Sequence, residues 1–155
     1  DVVFVLVGAT QDSDLADDAR ARGLIDDGRL RILPRQERHT IPSFLAMADV
    51  LVSPRSYGDN VPLKVFDYMA AGKAIVATDI KAHRAVLDPD CAVLVEVAGP
   101  SLAEGINRVL EDVGLAETLA ERALLRSGRG GGGETFDRVL ASVYGRVCGG
   151  VQVPG

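Results

Sequence analysis

Short runs of aliphatic and β-branched residues recur along the chain at positions 2–7, 30–33, 50–52, 74–77 and 92–97, and helical patterns fill the gaps between them. That alternation constrains the fold more than any other feature. Each run is nearly continuous in hydrophobicity, the mark of parallel strands covered on both faces, and parallel neighbours need a crossover between them. We therefore expect an α/β sandwich around a mostly parallel sheet, joined by right-handed crossovers.

The intervening segments carry helix signals of their own. Ser13 is placed to cap a helix over 14–23, with Asp17 and Asp18 favouring its early turns and Gly23 its stop. Pro42 stands in the first turn of a segment over 44–48, and Pro62 opens a helix over 63–71 that Gly72 closes. Ser101 is expected to cap a helix carrying Leu102, Ile106, Val109 and Leu110, and a further helix places Leu115, Leu119, Ala123 and Leu124 on one side. The glycines from Gly128 to Gly133 break that pattern. We expect one domain over 1–126, a Gly-rich linker over 127–134, a final helix over 135–148 with Phe136, Leu140, Val143 and Tyr144 on one face, and a tail over 149–155.

Composition removes several classes of function. A formal charge of −5 and a pI near 5.0 argue against a nucleic-acid binder, which needs a basic stripe to neutralise phosphates. No apolar run approaches the roughly 20 residues of a membrane-spanning helix, and no basic segment precedes one. We expect a soluble, unexported, cytoplasmic chain. Cys91 and Cys148 are too few for a disulfide framework or a zinc site. The chain opens on Asp1 and enters an apolar run almost at once, which suggests a piece of a longer protein.

Sheets of this kind bind ligands at the carboxyl ends of their strands. The densest segment there is Ser53-Pro-Arg-Ser-Tyr-Gly-Asp-Asn-Val-Pro-Leu-Lys-Val-Phe-Asp-Tyr-Met-Ala-Ala-Gly72. It leaves a strand, turns through a glycine and enters a helix near Pro62, whose free N–H groups could meet a phosphate. Asp59 stands before that helix and Asp67 lies inside it. On a structural account, Asp59 or Asn60 merely caps the helix and Asp67 pairs with Lys64 one turn away.

The segment resembles the donor-binding signature of retaining, nucleotide-sugar-dependent glycosyltransferases of the two-domain GT-B architecture, glycosyltransferase family 4 in particular. The resemblance rests on Asp59, Pro62, Asp67, Met69-Ala-Ala-Gly-Lys73 and Ile75-Val-Ala-Thr-Asp79, and extends from about Val2 to Ala123. It implies a Rossmann-like doubly wound sheet, the C-terminal half of the architecture, lacking its first strand and helix. It further implies that Asp59 contacts the transferred sugar and Asp67 the ribose, each an Asp where the family usually has Glu. The amides of Asn60, Val61, Leu63 and Lys64 would meet the pyrophosphate beside Gly58, Gly8 would let backbone approach the ligand, and Arg35 would lie near the base.

The implied reaction moves a sugar from a nucleoside diphosphate, UDP or GDP, to an acceptor hydroxyl with retention, with neither a cofactor nor an obligatory metal. The family's catalytic basic pair and its N-terminal acceptor domain are not found in this sequence. Peripheral membrane contact would come through that other half. A missing central strand would leave a gap between two sheet halves or exposed, association-prone edges.

Three other features are weighed and set aside. Gly128 to Thr135 is one substitution from a phosphate-binding loop, but Glu134 replaces its lysine and would repel the ligand. His83 could approach a donor hydroxyl, though a surface or helix-start position is the simpler expectation, and His39 reads as solvated. A GT-B-type sugar-nucleotide epimerase and a non-catalytic α/β nucleotide-binding or interaction module remain the rival functions.

Overall fold

The structure, a computed structural model, describes residues 2–9 and 14–128. These form two compact units divided between Phe44 and Leu45. The final helix and tail expected beyond position 134 lie outside the described residues, as does the Ser13 cap.

In the first unit, β1 (Phe4–Val7) pairs in parallel with β2 (Leu30–Leu33), Phe4 opposite Leu30 and Val7 opposite Leu33. Helix α1 (Asp14–Ala21) connects them, and its Ala16 and Ala19 are buried. Its outer face is laced by Asp17–Arg20 and Asp18–Arg22 ion pairs at 2.9 and 3.0 Å. One expectation fails here: β1 is not covered on both faces, and Phe4 and Val5 remain about half exposed. Continuous hydrophobicity marks what a strand could bury, not what it meets.

Helix α2 (Ile41–Met47) starts three residues earlier than the segment expected over 44–48. Pro42 sits in its first turn, where its missing N–H removes no helical bond.

The second unit is a three-stranded parallel sheet in the order β3 (Val50–Ser53), β4 (Ala74–Thr78), β5 (Val93–Val95). Central strand β4 is buried along its whole length. Its alternation divides the core between two faces. Ile75 and Ala77 pack with Val65 and Met69 of α3 (Leu63–Ala70), with Leu87 and Cys91, and with Ala123 of α6 (Val113–Arg126). Ala74 and Val76 pack on the other side with Val93, with Ile106 and Val109 of α5 (Gly99–Glu111), and with Leu119. Helices cover both faces, as a doubly wound sheet requires.

Helix ends follow local chemistry, with one correction. Gly72 closes α3 with φ at +63°, a conformation that costs a side-chain-bearing residue heavily. The side chain of Asp112 caps α6 by accepting from the Leu115 amide at 2.9 Å. Ser101, by contrast, caps nothing: α5 begins at Gly99 after Ala98, because Pro100 is already helical in its first turn. A one-turn helix, α4 (Lys81–Arg84), lies between β4 and β5 and holds His83 in its first turn, in line with the helix-start expectation for that residue.

The two sheets share no hydrogen-bonded ladder among the described residues. No helix of the described residues is long and apolar enough to cross a membrane.

Candidate functional site

The carboxyl end of β3 leads through Pro54 into a loop that the side chain of Arg55 organises. Its Nε donates to the carbonyl oxygen of Tyr57 at 2.7 Å and its Nη1 to that of Asn60 at 2.9 Å. The guanidinium thus takes the place of backbone pairing inside the loop. Gly58 makes this possible, with φ at +121° and no side chain to displace the guanidinium.

Helix α3 then starts without a side-chain cap. Pro62 occupies the capping position with extended backbone, and its carbonyl accepts from the Val65 amide at 2.9 Å. Asp59 therefore does not cap the helix; its exposed carboxylate meets Lys81 Nζ at 3.5 Å instead. The amides of Asn60, Val61, Leu63 and Lys64 have no acceptor among the described residues. Free N–H groups at a helix start carry partial positive charge and suit an anion.

The same loop and helix start carry two cationic side chains, Arg55 and Lys64. Lys64 stands on the first turn with its Nζ 5.8 Å from the Tyr68 ring centre. Packing around the ammonium, and secondarily repulsion from Arg55, hold Lys64 below the ordinary lysine range, although the residue keeps solvent access. Burial, and then the Asp67 charge, push the Tyr68 phenol up. Asp67 does not pair with Lys64 and has no ion-pair partner among the described residues, so its carboxylate is open to solvent on the outer face of α3.

Gly58, Asp59, Asn60, Val61, Leu63, Lys64 and Asp67 thus lie on one strand–loop–helix unit. Gly8 and Arg35 belong to the first unit, at the carboxyl ends of β1 and β2. Gly8 has φ at +94°, donates to the Leu33 carbonyl at 2.9 Å, and has open space where a Cβ would stand. Arg35 is exposed.

His83 requires a correction. It is neither on the surface nor within reach of a ligand hydroxyl, being 0% exposed, with its ring between the ends of β3 and β4. His39 is solvated as expected, 3.2 Å from Glu37. Sequence reasoning missed Arg55 as the loop's organiser. Its signal was a lone arginine three residues before a glycine, which separates poorly from a surface charge.

This geometry coincides with a match to the glycosyl transferases group 1 family model over residues 1–112. The chain belongs to that family. Among group 1 relatives, the phosphatidyl-myo-inositol mannosyltransferase of Mycolicibacterium smegmatis is 33% identical over 125 residues, covering 79% of this chain and 31% of that protein. The alpha-D-kanosaminyltransferase of Streptomyces kanamyceticus is 28% identical over 126 residues, covering 79% and 32%. The chain therefore spans about a third of the length of these curated relatives.

Solved structures agree on the fold. Anabaena HepE in complex with UDP superposes with a TM-score of 0.75 at 19% identity, over 94% of this chain and 41% of that one. Sucrose-phosphate synthase from Thermosynechococcus elongatus gives 0.68 at 23% identity, over 93% and 38%. The group 1 chain has the Rossmann-like α/β fold of GT-B glycosyltransferases.

Proposed function

We propose that this chain is the donor-nucleotide-binding part of a retaining glycosyltransferase, using a nucleoside-diphosphate sugar with UDP or GDP as its nucleotide. The observation that carries the proposal is the start of α3, where the amides of Leu63 and Lys64 have no acceptor among the described residues and the Arg55 guanidinium holds the loop just before them through the Asn60 carbonyl. A diphosphate is the ligand class that such a cationic, donor-rich helix start stabilises best.

As the bond from sugar to diphosphate breaks, negative charge grows on the leaving phosphate. Donors already aimed at that position stabilise the transition state more than the ground state. Asp59, on the loop before the helix, takes the sugar hydroxyls. Asp67, free of an ion pair, takes the ribose. For Gly8 and Arg35, in the first unit, the family resemblance supports nucleotide contacts of their own, Gly8 through close backbone approach and Arg35 toward the base.

Retention and independence from metal belong to the same proposal, as does an N-terminal acceptor-binding domain of a longer protein that supplies the acceptor hydroxyl and any membrane contact. A cytoplasmic setting belongs to the same proposal. Calorimetric titration with UDP, GDP and ADP tests the proposal: saturable binding of UDP or GDP is expected, and no binding of any of the three at millimolar concentration would sink it.

A further inference from the structure

His83 lies at the centre of a buried hydrogen-bond relay that ends on the donor loop. Its Nε2 is 2.9 Å from the Ser53 hydroxyl, at the end of β3. Its Nδ1 is 2.7 Å from the Thr78 carbonyl oxygen, at the end of β4. The carbonyl can only accept, so Nδ1 carries a proton, while Nε2 shares a hydrogen bond with the Ser53 hydroxyl. One imidazole thereby ties two neighbouring strand ends together.

The relay continues through Thr78. Its hydroxyl lies 3.3 Å from His83 Nδ1 and donates to the carbonyl of Arg55, the residue whose guanidinium holds the carbonyls of Tyr57 and Asn60. Ser53, Thr78 and His83 are all buried, and every buried side-chain nitrogen or oxygen among the described residues has a partner. A fully satisfied polar network in a dry site is stiff, because each alternative arrangement leaves a donor or acceptor unpaired.

We propose that His83 is a positioning residue for the donor loop: acting through Ser53 and Thr78, it fixes Arg55 and so the placement of Asp59 and the α3 amides. Its importance for donor binding rests on the function proposed above, whereas its hold on the loop does not. Loss of the imidazole leaves the Ser53 hydroxyl without its partner, while the Thr78 carbonyl keeps the Ile80 amide at 3.0 Å. The Thr78 hydroxyl also loses its Nδ1 contact and can turn from the Arg55 carbonyl toward the Ser53 carbonyl, 3.4 Å away, which loosens the loop's anchor.

The test measures backbone order parameters by NMR on the full chain, for the wild type, His83→Phe and Thr78→Val. Thr78→Val removes only the hydroxyl step at nearly constant volume, and so decides the matter even where His83→Phe does not fold. Expected values at Arg55, Tyr57 and Asn60 are near the rigid limit of about 0.85 in the wild type and below about 0.6 in the variants, with Ile75 and Val76 unchanged. UDP or GDP affinity should fall about tenfold in each folded variant, a factor worth about 1.4 kcal/mol. Unchanged loop order in folded Thr78→Val, or loosening that spreads equally to Ile75 and Val76, overturns the proposal. A loosened loop with undiminished nucleotide affinity overturns its role in donor binding. If the wild type binds neither nucleotide, the donor-site function fails while the order parameters still decide whether His83 holds the loop.

Discussion

Arg55 and Gly58 occupy space that only a glycine leaves free: a Cβ on Gly58 would stand 2.8 Å from Arg55 Cζ, in a backbone conformation with φ at +121°. The loop can therefore keep either a side chain at position 58 or the Arg55 guanidinium in its present place. Gly58→Ala is expected to cost roughly 1–3 kcal/mol in stability from backbone strain and displacement of Arg55. It should also weaken UDP or GDP binding about tenfold. Urea denaturation and calorimetry measure the two effects separately.

Lys64 adds a side-chain charge to the backbone amides of the α3 start, so its removal should reduce affinity without abolishing it. Lys64→Met is expected to weaken nucleoside diphosphate binding by roughly three- to tenfold, since one charge-assisted contact is lost. It should also flatten the dependence of affinity on salt, because one screened attraction disappears. Titrations at two ionic strengths check both statements.

Gly105 is packed rather than strained. A Cβ there would stand 2.7 Å from Val95 Cγ1 and 3.1 Å from Val76 Cγ1, so α5 packs closely against the sheet at this point. Gly105→Ala gains about 1 kcal/mol of helix propensity, which offsets much of an overpacking cost of about 1–3 kcal/mol. Gly105→Val enlarges the clash with a smaller gain in propensity. We expect a small loss for alanine and at least about 2 kcal/mol for valine, measured by chemical denaturation.

The Arg126 guanidinium beside Asp88 holds that carboxyl below the usual aspartate range, chiefly through their hydrogen bond. A lowered carboxyl pKa means that the folded state binds the proton less readily than the unfolded chain. The contribution is therefore complete above the ordinary aspartate pKa of about 3.9 and is lost as pH falls through the lowered folded value. Both groups are more than a third exposed, so solvent screening keeps the effect small. Asp88→Asn should lower Tm slightly at pH 7 and make the fall in Tm on acidification shallower, as a thermal melt series would show.

The strands and the main helices were legible in the sequence because hydrophobic runs, prolines and Gly72 act locally. Local signals also placed the strand–loop–helix from Ser53 to Ala70 and its two acids. His83 was misread because its burial depends on Ser53, thirty positions earlier, and on Thr78, and no local pattern announces that convergence. The Ser101 cap failed for a different reason. Pro100 and Gly99 could enter the helix themselves, so the start moved upstream of the better capping side chain. Phe4 and Val5 show the complementary limit, since an apolar strand carries no record of what covers it.

The central claim is that a nucleoside diphosphate settles on the start of α3. Amide chemical shifts followed by NMR during titration with UDP and with GDP test it most directly. The account predicts saturable shifts at Asn60, Val61, Leu63 and Lys64 with one of these nucleotides, reduced by Asp67→Ala through loss of the ribose contact. Saturable binding that leaves the Leu63 and Lys64 amides unmoved, or no saturable shift with either nucleotide at millimolar concentration, would contradict it.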